Sequence, residues 1–466
     1  MFEKILVANR GEIARRVMRT CRRLGIRTVA VYSEADQGAP HVRDADEAVA
    51  IGPPAAKDSY LNIDAIIAAT QRTGARAVHP GYGFLSEKPA FARAVAEAGA
   101  VFIGPPPGVL EAFGDKMKAR GVARAAGTDP VPGTETPIAA RTPEGLDEAR
   151  KAAHRIGYPI IVKAVGGGGG IGMQIVHAEG ALERAITTCS ERGRSAFADP
   201  RVYLERYVSE PRHIEVQVFG DGRGAYFALG ERECSLQRRH QKILEETPSP
   251  AAFFEGVAGG ERRRALHEAA LRVVRSAGYV GAGTCEFIAD ASGRLYFLEV
   301  NARLQVEHVV TEMVTGLDLV ELQLRVAAGE GLPDLPSVER RGHAVEARIY
   351  AEDPAKGFIP KPGTVDTLVW AGGAGEVQSP DLRIESAVVA GSKVTPHYDP
   401  MIAKVIARGD TRLEAVDALD RALAGTTIGP CVTNLAFLRR VLADPAFREG
   451  RYDTRFAEAL AKGSAR

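Results

Sequence analysis

The sequence predicts a mixed fold, in which an α/β part is followed by α+β parts, and three observations support this prediction. At 466 residues the chain is too long for one ordinary hydrophobic core, so about three domains are expected. Strand-like and helix-like segments alternate over roughly the first 110 residues. From about Arg206 onward strand-like segments dominate, and a helical tail closes the chain.

The N-terminal part begins with "KILVA", a short apolar strand, and continues with "GEIARRVMRTCRRLG", which has helical spacing and a glycine stop. The next strand is "RTVAVYS", and "YLNIDAIIAATQRTG" followed by "ARAVHPGYGF" repeats the scheme. Alternation of this kind is typical of a doubly wound parallel sheet. This part lacks a Gly-x-Gly-x-x-Gly turn, so dinucleotide binding is not indicated.

The middle and C-terminal parts have a different pattern. Proline and glycine become frequent between Gly127 and Pro143, which predicts a linker. A small α+β piece follows at residues 135–205 and contains the run "GGGGGIGM", Gly166 to Met173. Beyond it the predicted strands are "HIEVQVFG", "GAYFALGERECS", "GTCEFIAD", "RLYFLEVNAR" and "GHAVEARIYAED".

Composition excludes several classes of function. The 60 basic residues balance the 59 acidic ones, so neither a nucleic-acid nor a membrane-surface partner is indicated, and any anion site must come from local clustering. The five scattered cysteines form no Cys-x-x-Cys pair and are expected to be reduced thiols. The sequence shows no signal peptide and no apolar run of the ~20 residues that span a bilayer. A cytoplasmic protein is therefore expected.

The glycine run lies between two apolar, strand-like segments. It lacks the Gly-Lys-Ser/Thr ending of a Walker A loop, and a strand follows it where a helix would begin. We expect a hairpin whose tip lies over phosphates, because backbone N–H groups can approach closely where no Cβ intervenes. A flexible surface loop is the alternative. Lys163, in the preceding apolar strand, favours the anion site, since a lysine is unusual there.

Glu286 and Glu299 are the strongest signal in the sequence. The segment that contains them reads as two antiparallel strands joined by a two-residue turn, Ser292-Gly293, which places the two glutamates opposite each other. Opposed like charges are destabilising, so a cation is expected between them, and oxygen ligands near phosphates favour Mg²⁺. Asn301 points to the same face as Glu299 and can join the site. A one-residue register shift that separates the glutamates is the alternative.

Other candidates are weaker singly. "RHIEVQV" alternates polar and apolar residues, which fits either a ligand-facing strand or one with a wet side. The basic run "QRRHQK", Gln237 to Lys242, is more often a solvated loop. Lys116 follows a glycine at a predicted helix start, where an anion would be welcome. With Arg303 and Arg348, these residues indicate a metal–nucleotide site that adjoins a basic anion pocket.

These stretches carry a family likeness. The chain resembles the biotin carboxylase subunit or domain of biotin-dependent carboxylases of the acetyl-CoA carboxylase type, which are ATP-grasp enzymes, from Met1 to about Leu438. The matching segments are "KILVANRGEIA", "HPGYGFLSE", "FIGP", "GDK", "GYPIIVKA", "GGGGG", "PRHIEVQV", "QRRHQK", "GAGTCEF", "EVNARLQVEH", "VTEMVTG", "GHAVEARI", "AEDP" and "YDPMIAK".

The resemblance implies a role for each matched residue. Implied nucleotide contacts are Lys116, Lys163, Gly169, Gly170, Glu205, Arg206, Tyr207, Val208, His213, Gln237, His240, Glu286 and Glu299. Implied ligands of Mg²⁺ (or Mn²⁺) are Glu286, Glu299 and Asn301. Implied bicarbonate and biotin contacts are Lys242, Arg303, Gln305, the Val306 backbone and Arg348. Glu307 is the implied general base, and Lys242, Arg303 and Arg348 are implied to act in catalysis with it.

The resemblance also implies an organisation and a reaction. The expected regions are an N-terminal α/β domain, a linker, an ATP-grasp lid, an ATP-grasp core and a mixed C-terminal β/α domain, at residues 1–113, 114–134, 135–205, 206–330 and 331–466 respectively. The implied reaction is ATP-dependent carboxylation of biotin with bicarbonate through carboxyphosphate. The chain contains no Ala-Met-Lys-Met sequence, so biotin is expected on a separate carrier protein or domain, with a carboxyltransferase subunit as a further partner and a homodimer as the assembly.

One position departs from the family pattern. Ile171 follows the fifth glycine, where the family usually has a basic residue. This leaves open a catalytically weakened, nucleotide-binding regulatory homologue. A separate alternative is an ATP-grasp carboxylate–amine ligase. The ligase would share the lid, the lysines and the paired glutamates but lack the set Lys242, Arg303, Glu307 and Arg348. The acyl acceptor is left undetermined by the sequence.

Overall fold

The computed structural model of the chain describes residues 1–140, 142–166, 172–239, 241–330, 332, 340–373 and 378–463. The N-terminal region is a five-stranded parallel sheet with the strand order β3-β2-β1-β4-β5. Its strands are β1 (Lys4–Val7), β2 (Arg27–Ser33), β3 (Glu47–Gly52), β4 (Ala77–His79) and β5 (Val101–Phe102), and its helices are α1 (Gly11–Arg23), α2 (Pro40–Asp44), α3 (Ile63–Thr73), α4 (Pro89–Glu97) and α5 (Pro107–Gly114).

Apolar residues cover both faces of this parallel sheet, as in a doubly wound unit. Ile5 and Val7 of β1 share a cluster with α1, whereas Leu6 belongs to the cluster on the opposite face with α3 and α4. Near-continuous hydrophobic strands are expected when helices cover both sides of a sheet. The fold class predicted for this region is therefore confirmed.

The segment expected to be a linker, residues 114–134, contains helix α6 (Lys116–Ala125). Asp115 caps it, since its side chain accepts hydrogen bonds from the backbone N–H groups of Met117 and Lys118. Ala119 and Ala123 of α6 are buried in the core of the central region. This half of the segment is thus a packed helix and not an extended connection, because its alanines complete an apolar core.

The next region is a small three-stranded antiparallel sheet with the order β7-β6-β8 and two helices. Its elements are α7 (Pro143–Ile156), β6 (Ile160–Ala164), β7 (Met173–Val176), α8 (Leu182–Phe197) and β8 (Val202–Arg206). Lys163 pairs with Met173 across the β6–β7 hairpin that carries the glycine run, as the sequence predicts. Gly167 to Ile171 lie outside the described residues.

One eight-stranded antiparallel sheet joins the central and C-terminal regions, with the order β13-β12-β9-β10-β11-β14-β21-β19. Its strands are β9 (Arg212–Asp221), β10 (Tyr226–Arg238), β11 (Gln241–Thr247), β12 (Val280–Ala289), β13 (Leu295–Asn301), β14 (His343–Tyr350), β19 (Leu382–Ser386) and β21 (Met401–Gly409). The pairing of β11 with β14 carries the sheet across the expected boundary at residue 330.

Shorter strands and further helices surround this sheet. The strands are β15 (Glu352–Asp353), β16 (Ile359–Pro360), β17 (Gly363–Val365), β18 (Thr367–Val369), β20 (Ser392–Val394) and β22 (Thr427–Gly429). The helices are α9 (Gly256–Ser276), α10 (His308–Thr315), α11 (Leu319–Ala327), α12 (Arg412–Ala424), α13 (Leu435–Ala443), α14 (Pro445–Arg448) and α15 (Phe456–Ala461). Within the described ranges, no helix combines the length and apolar character needed to cross a membrane.

The turn between β12 and β13 differs from the prediction. Its hydrogen bond runs from the N–H of Gly293 to the carbonyl of Asp290, so Ala291 and Ser292 are the central residues. The Asp290 carboxylate favours this turn by accepting bonds from the N–H and the hydroxyl of Ser292. Leu298 forms a β-bulge that shifts the register by one residue, and Glu286 and Glu299 are opposite each other as predicted.

Candidate functional site

A cavity of about 1250 Å³ lies between the three-stranded sheet, the eight-stranded sheet and the N-terminal region. It gathers the predicted site residues that the structure describes: Lys116, Lys163, Glu205, Arg206, Tyr207, Val208, His213, Gln237, Lys242, Glu286, Glu299, Asn301, Arg303, Gln305, Val306, Glu307 and Arg348. Gly169, Gly170 and His240 lie outside the described residues, as does Ile171. The local clustering of cations that a neutral chain needs for an anion site is therefore present.

Glu205 is held by two cations at one end of the cavity. Lys163 on β6 and Arg120 on α6 both form ion pairs with its buried carboxylate. Burial acts to raise the pKa of Glu205, but the charges of Lys163 and Arg120 keep that pKa below its ordinary value. The backbone N–H groups of Arg206 and Tyr207 donate to the carbonyl oxygens of Pro132 and Pro159, which fixes this segment along the cavity.

The opposed glutamates are compensated by cations of the protein itself. Glu286 contacts Lys242 at 3.1 Å and His213 at 3.0 Å, and Glu299 contacts Lys116 at 3.2 Å. Burial acts to raise the pKa of Glu286, but Lys242 and His213 hold it well below the usual range. Lysine and histidine side chains thus contact both carboxylates at the position where the sequence predicts Mg²⁺.

The same residues nevertheless suit a magnesium ion. Glu286, Glu299 and Asn301 offer carboxylate and amide oxygens on one face of the β12–β13 hairpin. The amide nitrogen of Asn301 donates to Glu286 Oε1 at 2.8 Å, so these side chains are already in contact. Hard oxygen donors of this kind are the ligands that Mg²⁺ prefers. The donor set therefore fits the metal.

Lys242 lies at the centre of the anion pocket. Its Nζ is 2.6 Å from Glu307, 2.7 Å from Glu215 and 3.1 Å from Glu286. Burial acts to lower the pKa of Lys242, but Cys234 and the surrounding carboxylates raise it well above its ordinary value. Lys242 is consequently a fixed cation that reaches both the metal-binding face and the base.

Glu307 is held as a carboxylate between Lys242 and Arg348. Arg348 Nη2 lies 3.0 Å from Glu307 and also forms an ion pair with Glu245. Burial acts to raise the pKa of Glu307, but Lys242 and Arg348 keep it well below the usual range. Glu307 is therefore a charged group that contacts two cations of the anion pocket.

Arg303 is positioned by a residue of the N-terminal region. Its Nε donates to Glu87 at 2.9 Å, and the other oxygen of Glu87 accepts from the N–H of Ala302, also at 2.9 Å. Arg303 Nη2 in turn donates to Asn301 at 3.0 Å. The guanidinium therefore bridges the metal-binding face and the N-terminal region.

Several positioning residues were missed by reasoning from sequence. Arg232, fully buried, donates to Glu215, Gln217 and Gln305, and so holds the floor of the pocket. The alternation in "RHIEVQV" did indicate a polar face, but Glu215 and Gln217 are both buried and not exposed to solvent. The missing information was the partner, since β10 brings Arg232 beside Glu215 only after folding.

The basic run "QRRHQK" is not a solvated loop in its described part. Gln237 and Arg238 end β10, Arg239 makes the turn with φ +49°, and Lys242 returns in β11. The side-chain amide nitrogen of Gln237 donates to Nδ1 of His213 at 2.8 Å. The described part of the run thus belongs to two paired strands, and its residues Gln237, Gln241 and Lys242 line the cavity.

Three family models match successive parts of the chain. "Biotin carboxylase, N-terminal domain" matches residues 1–110, "Carbamoyl-phosphate synthase L chain, ATP binding domain" matches residues 115–335, and "Biotin carboxylase C-terminal domain" matches residues 346–459. Together they extend over most of the sequence.

The chain is similar to curated relatives over almost its whole length. It is 47% identical to Biotin carboxylase 2 of Bacillus subtilis over 457 residues, which cover 98% of this chain and 99% of that protein. It is also 47% identical to the mitochondrial methylcrotonoyl-CoA carboxylase subunit alpha of Oryza sativa, with 98% of this chain covered. The match spans only 60% of the length of that second relative.

A solved structure shares the fold. The biotin carboxylase domain dimer of Hydrogenobacter thermophilus 2-oxoglutarate carboxylase, in complex with MgADP, ADP and bicarbonate, aligns with a TM-score of 0.92 at 42% identity. The alignment covers all of this chain and 99% of that one. Given the identity and the coverage, the chain belongs to the biotin carboxylase family.

Proposed function

We propose that this chain uses ATP and bicarbonate to carboxylate biotin on a carrier protein, and that it releases ADP and phosphate. The observation that carries the proposal is the contact of Lys242 with both Glu286 and Glu307. This contact sets an anion pocket directly beside a face of magnesium-type ligands. A carboxylate–amine ligase would need no such set of Lys242, Arg303, Glu307 and Arg348 around one small anion.

The nucleotide would lie between the three-stranded sheet and the eight-stranded sheet. Lys116, Lys163 and His213 would bind its phosphates, and the backbone of residues 205–208 would bind its adenine, with Gln237 beside it. Glu286, Glu299 and Asn301 would hold Mg²⁺ (or Mn²⁺), which when bound neutralises phosphate charge during transfer. Glu286 and Glu299 each form an ion pair with a lysine, Lys242 and Lys116 respectively.

Bicarbonate would be bound by Lys242, Arg303, Gln305 and the Val306 backbone. One of its oxygens would attack the γ-phosphorus of ATP, so that the bond to ADP breaks and carboxyphosphate forms. The protein's contribution is positioning and charge neutralisation, which account for most of the catalysis of phosphoryl transfer. Glu307, which contacts Lys242, would take up the proton that bicarbonate loses.

Carboxyphosphate would then break down to CO₂ and phosphate within the cavity. A biotin nitrogen, deprotonated with help from the phosphate or Glu307, would attack the CO₂ carbon and give N-carboxybiotin. Arg348 would stabilise the negative charge that develops on the ureido oxygen. Its ion pairs with Glu245 and Glu307 fix its guanidinium at the cavity wall.

The partners and the location of this chain follow from the same proposal. Biotin would arrive on a biotin carboxyl carrier protein or domain, and a carboxyltransferase subunit would transfer the carboxyl group to an acyl-CoA or to pyruvate. The chain would form a homodimer in the cytoplasm. Relatives of equal identity carry different names, and in this proposal the carboxyltransferase would determine the acceptor.

The proposal is tested by measuring ADP release with and without bicarbonate, free biotin and Mg²⁺. We expect release to require both bicarbonate and Mg²⁺ and to rise when biotin is added, with formation of ¹⁴C-carboxybiotin from labelled bicarbonate. Nucleotide binding without turnover under these conditions would contradict the proposal. Amine-dependent release without bicarbonate would support a carboxylate–amine ligase instead.

A further inference from the structure

Lys404 is a fully buried cation on β21 that lines no part of the cavity described above. A lysine is almost never completely buried unless it is paired, because its ammonium loses its hydration. The residue belongs to "YDPMIAK", a stretch that none of the steps above uses. Its retention in the core therefore calls for a specific partner.

That partner is the backbone of the anion pocket. Lys404 Nζ donates a hydrogen bond of 2.6 Å to the carbonyl oxygen of Val306, the residue before Glu307. A carboxylate oxygen of Glu12, at the start of α1, lies 3.5 Å from the same nitrogen. The shorter contact is thus made to a neutral carbonyl and not to the carboxylate.

The sheet register places Lys404 next to the reactive end of the site. In the β14–β21 pair Lys404 is directly opposite Arg348, and side chains at directly opposed positions share a face of the sheet. Arg348 contacts Glu307, and Lys404 donates to the carbonyl oxygen of the preceding residue, Val306. Two neighbouring cations of one sheet therefore hold two consecutive residues of one turn.

We propose that Lys404 is a positioning residue for bicarbonate, an inference that rests on the proposed function. It fixes the Val306–Glu307 peptide through the Val306 carbonyl, and so sets the backbone of Val306 and the direction of Glu307. In a trans peptide the carbonyl oxygen and the N–H point in opposite directions. The bond from Lys404 consequently turns the N–H of Glu307 away from the sheet.

A second effect is electrostatic. The ammonium of Lys404 lies in a water-excluded core, where a charge acts over a longer range than in water. Glu12 offsets part of this charge, but its carboxylate also accepts a hydrogen bond from Tyr82, and burial raises its pKa. Glu385, opposite Lys404 on β19, is paired with Arg19 and Arg383, and burial raises the pKa of Glu346, the other carboxyl group near Lys404. Lys404 therefore adds positive potential at the Val306 backbone.

The contacts of Lys404 also join the three regions of the chain, so a purely structural role has to be distinguished from a positioning role. Glu12 belongs to the N-terminal region, Val306 to the central region and Lys404 to the C-terminal region. A structural link would change stability and all kinetic constants together. A positioning role would change the KM for bicarbonate far more than the KM for ATP.

The test compares Lys404→Met with Val405→Ala in the bicarbonate-dependent ADP-release assay. Val405 is equally buried, but it belongs to the core on the opposite face of the same strand. We expect Lys404→Met to raise the KM for bicarbonate by about tenfold or more, with the KM for ATP changed less than about twofold. Val405→Ala should lower the melting temperature and leave both KM values near those of the wild type.

A conservative variant makes the test independent of folding. Lys404→Gln retains a hydrogen-bond donor without the charge, and we expect its KM for bicarbonate to lie between those of the wild type and Lys404→Met. If Lys404→Met does not fold, the comparison of Lys404→Gln with the wild type is sufficient to test the inference. An unchanged KM for bicarbonate in either variant, or an equal rise for ATP and bicarbonate, would overturn the inference.

The two proposals can fail separately. If the wild-type chain shows no bicarbonate-dependent ADP release, the proposed function itself fails. If the wild type is active and Lys404→Met keeps its KM for bicarbonate, only the positioning role fails. Saturation-transfer NMR with ¹³C-bicarbonate provides a binding readout besides turnover, and we expect a weaker signal for Lys404→Met than for Val405→Ala.

Discussion

Lys242 balances most of the negative charge in the anion pocket. It touches Glu215, Glu286 and Glu307, and its side chain is only 13% exposed. Removal of one partner from a buried ion pair leaves uncompensated charge in a low-dielectric environment. The site therefore depends on this residue for its stability as well as for bicarbonate binding.

Lys242→Met should lower bicarbonate-dependent ADP release by about 100-fold or more, because the cation that neutralises the transferred group is lost. We also expect a loss of about 3 kcal/mol in the free energy of unfolding, since three buried carboxylates lose their shared partner. Urea unfolding and steady-state kinetics measure the two effects. Lys393→Met, at an exposed position of β20, is the control. ADP release within threefold of the wild type would contradict the role of Lys242.

Glu286→Gln and Glu299→Gln should each raise the concentration of Mg²⁺ needed for half-maximal activity by at least about tenfold, because a carboxamide carries no charge. The measurement is ADP release against free Mg²⁺ at fixed ATP. Glu268→Gln, an exposed change on α9, should leave the Mg²⁺ dependence unaltered. Equal Mg²⁺ requirements in all three variants would rule out this metal-binding role.

At the scale of single residues, the sequence predicts which side chains share a face of a strand. It does not predict which residues of other elements pack against them. Glu286, Glu299 and Asn301 can be placed together because one hairpin carries all three. Glu87 and Lys404 cannot, since they reach the pocket from distant parts of the chain. Burial of such charges depends on long-range packing, which local periodicity does not encode.

The β12–β13 hairpin shows how an element can be predicted well for a partly wrong reason. The predicted two-residue turn and the observed turn differ by one position, and the bulge at Leu298 compensates for the difference. A turn that contains glycine can be centred on either of two pairs of residues. The Asp290 carboxylate accepts hydrogen bonds from the N–H groups of Ser292 and Arg294, and these bonds favour the observed pair. Register was thus predictable near the glutamates and not near the turn.

Gly293→Ala tests this hairpin. Gly293 has φ +76°, and a Cβ there would lie 2.7 Å from Cβ of Phe253, so both strain and a clash are expected. We expect a loss of about 2 kcal/mol in the free energy of unfolding. Gly278→Ala is the matched control, because Gly278 has φ +62° but nothing within 4 Å of an added Cβ. Equal destabilisation of the two variants would show that the backbone conformation alone matters.

For the whole molecule, a buried carboxylate on β11 ties the eight-stranded sheet to the C-terminal helices. Glu246 is fully buried and forms ion pairs with Arg412 at 2.7 Å and His343 at 2.8 Å. Burial acts to raise its pKa, but Arg412 and His343 lower the pKa from its ordinary value of 4.5 to about 2. Tyr452 donates to the same carboxylate.

This network predicts a defined pH dependence. A folded-state pKa below the unfolded value gives stability that is complete above pH 4.5 and is lost as the pH falls towards 2. Glu246→Gln should therefore lower the free energy of unfolding by roughly 3 kcal/mol at pH 7. The difference from the wild type should shrink below pH 4.5, as measured by urea unfolding at several pH values. A gap that stays constant down to pH 3 would contradict this assignment.

The overall architecture was largely predictable, because the change from alternating elements to consecutive strands is visible in the sequence. The parallel order of the N-terminal sheet and the hairpin around the glycine run both follow from it. The joining of central and C-terminal strands into one sheet could not be predicted in this way, because β11 and β14 are about 100 residues apart and pair without a local sequence signal. The domain boundaries remain predictions.

The β11–β14 pairing limits how this chain can be divided. If the polypeptide were divided between the segments 115–335 and 346–459, β11 would lose its partner strand β14. The backbone N–H and C=O groups on that edge of β11 would then be unpaired. An unprotected edge of this kind recruits further strands, so the isolated halves would tend to aggregate. Gene fusions and split reporters based on this protein should therefore be joined at its surface loops and not at that junction.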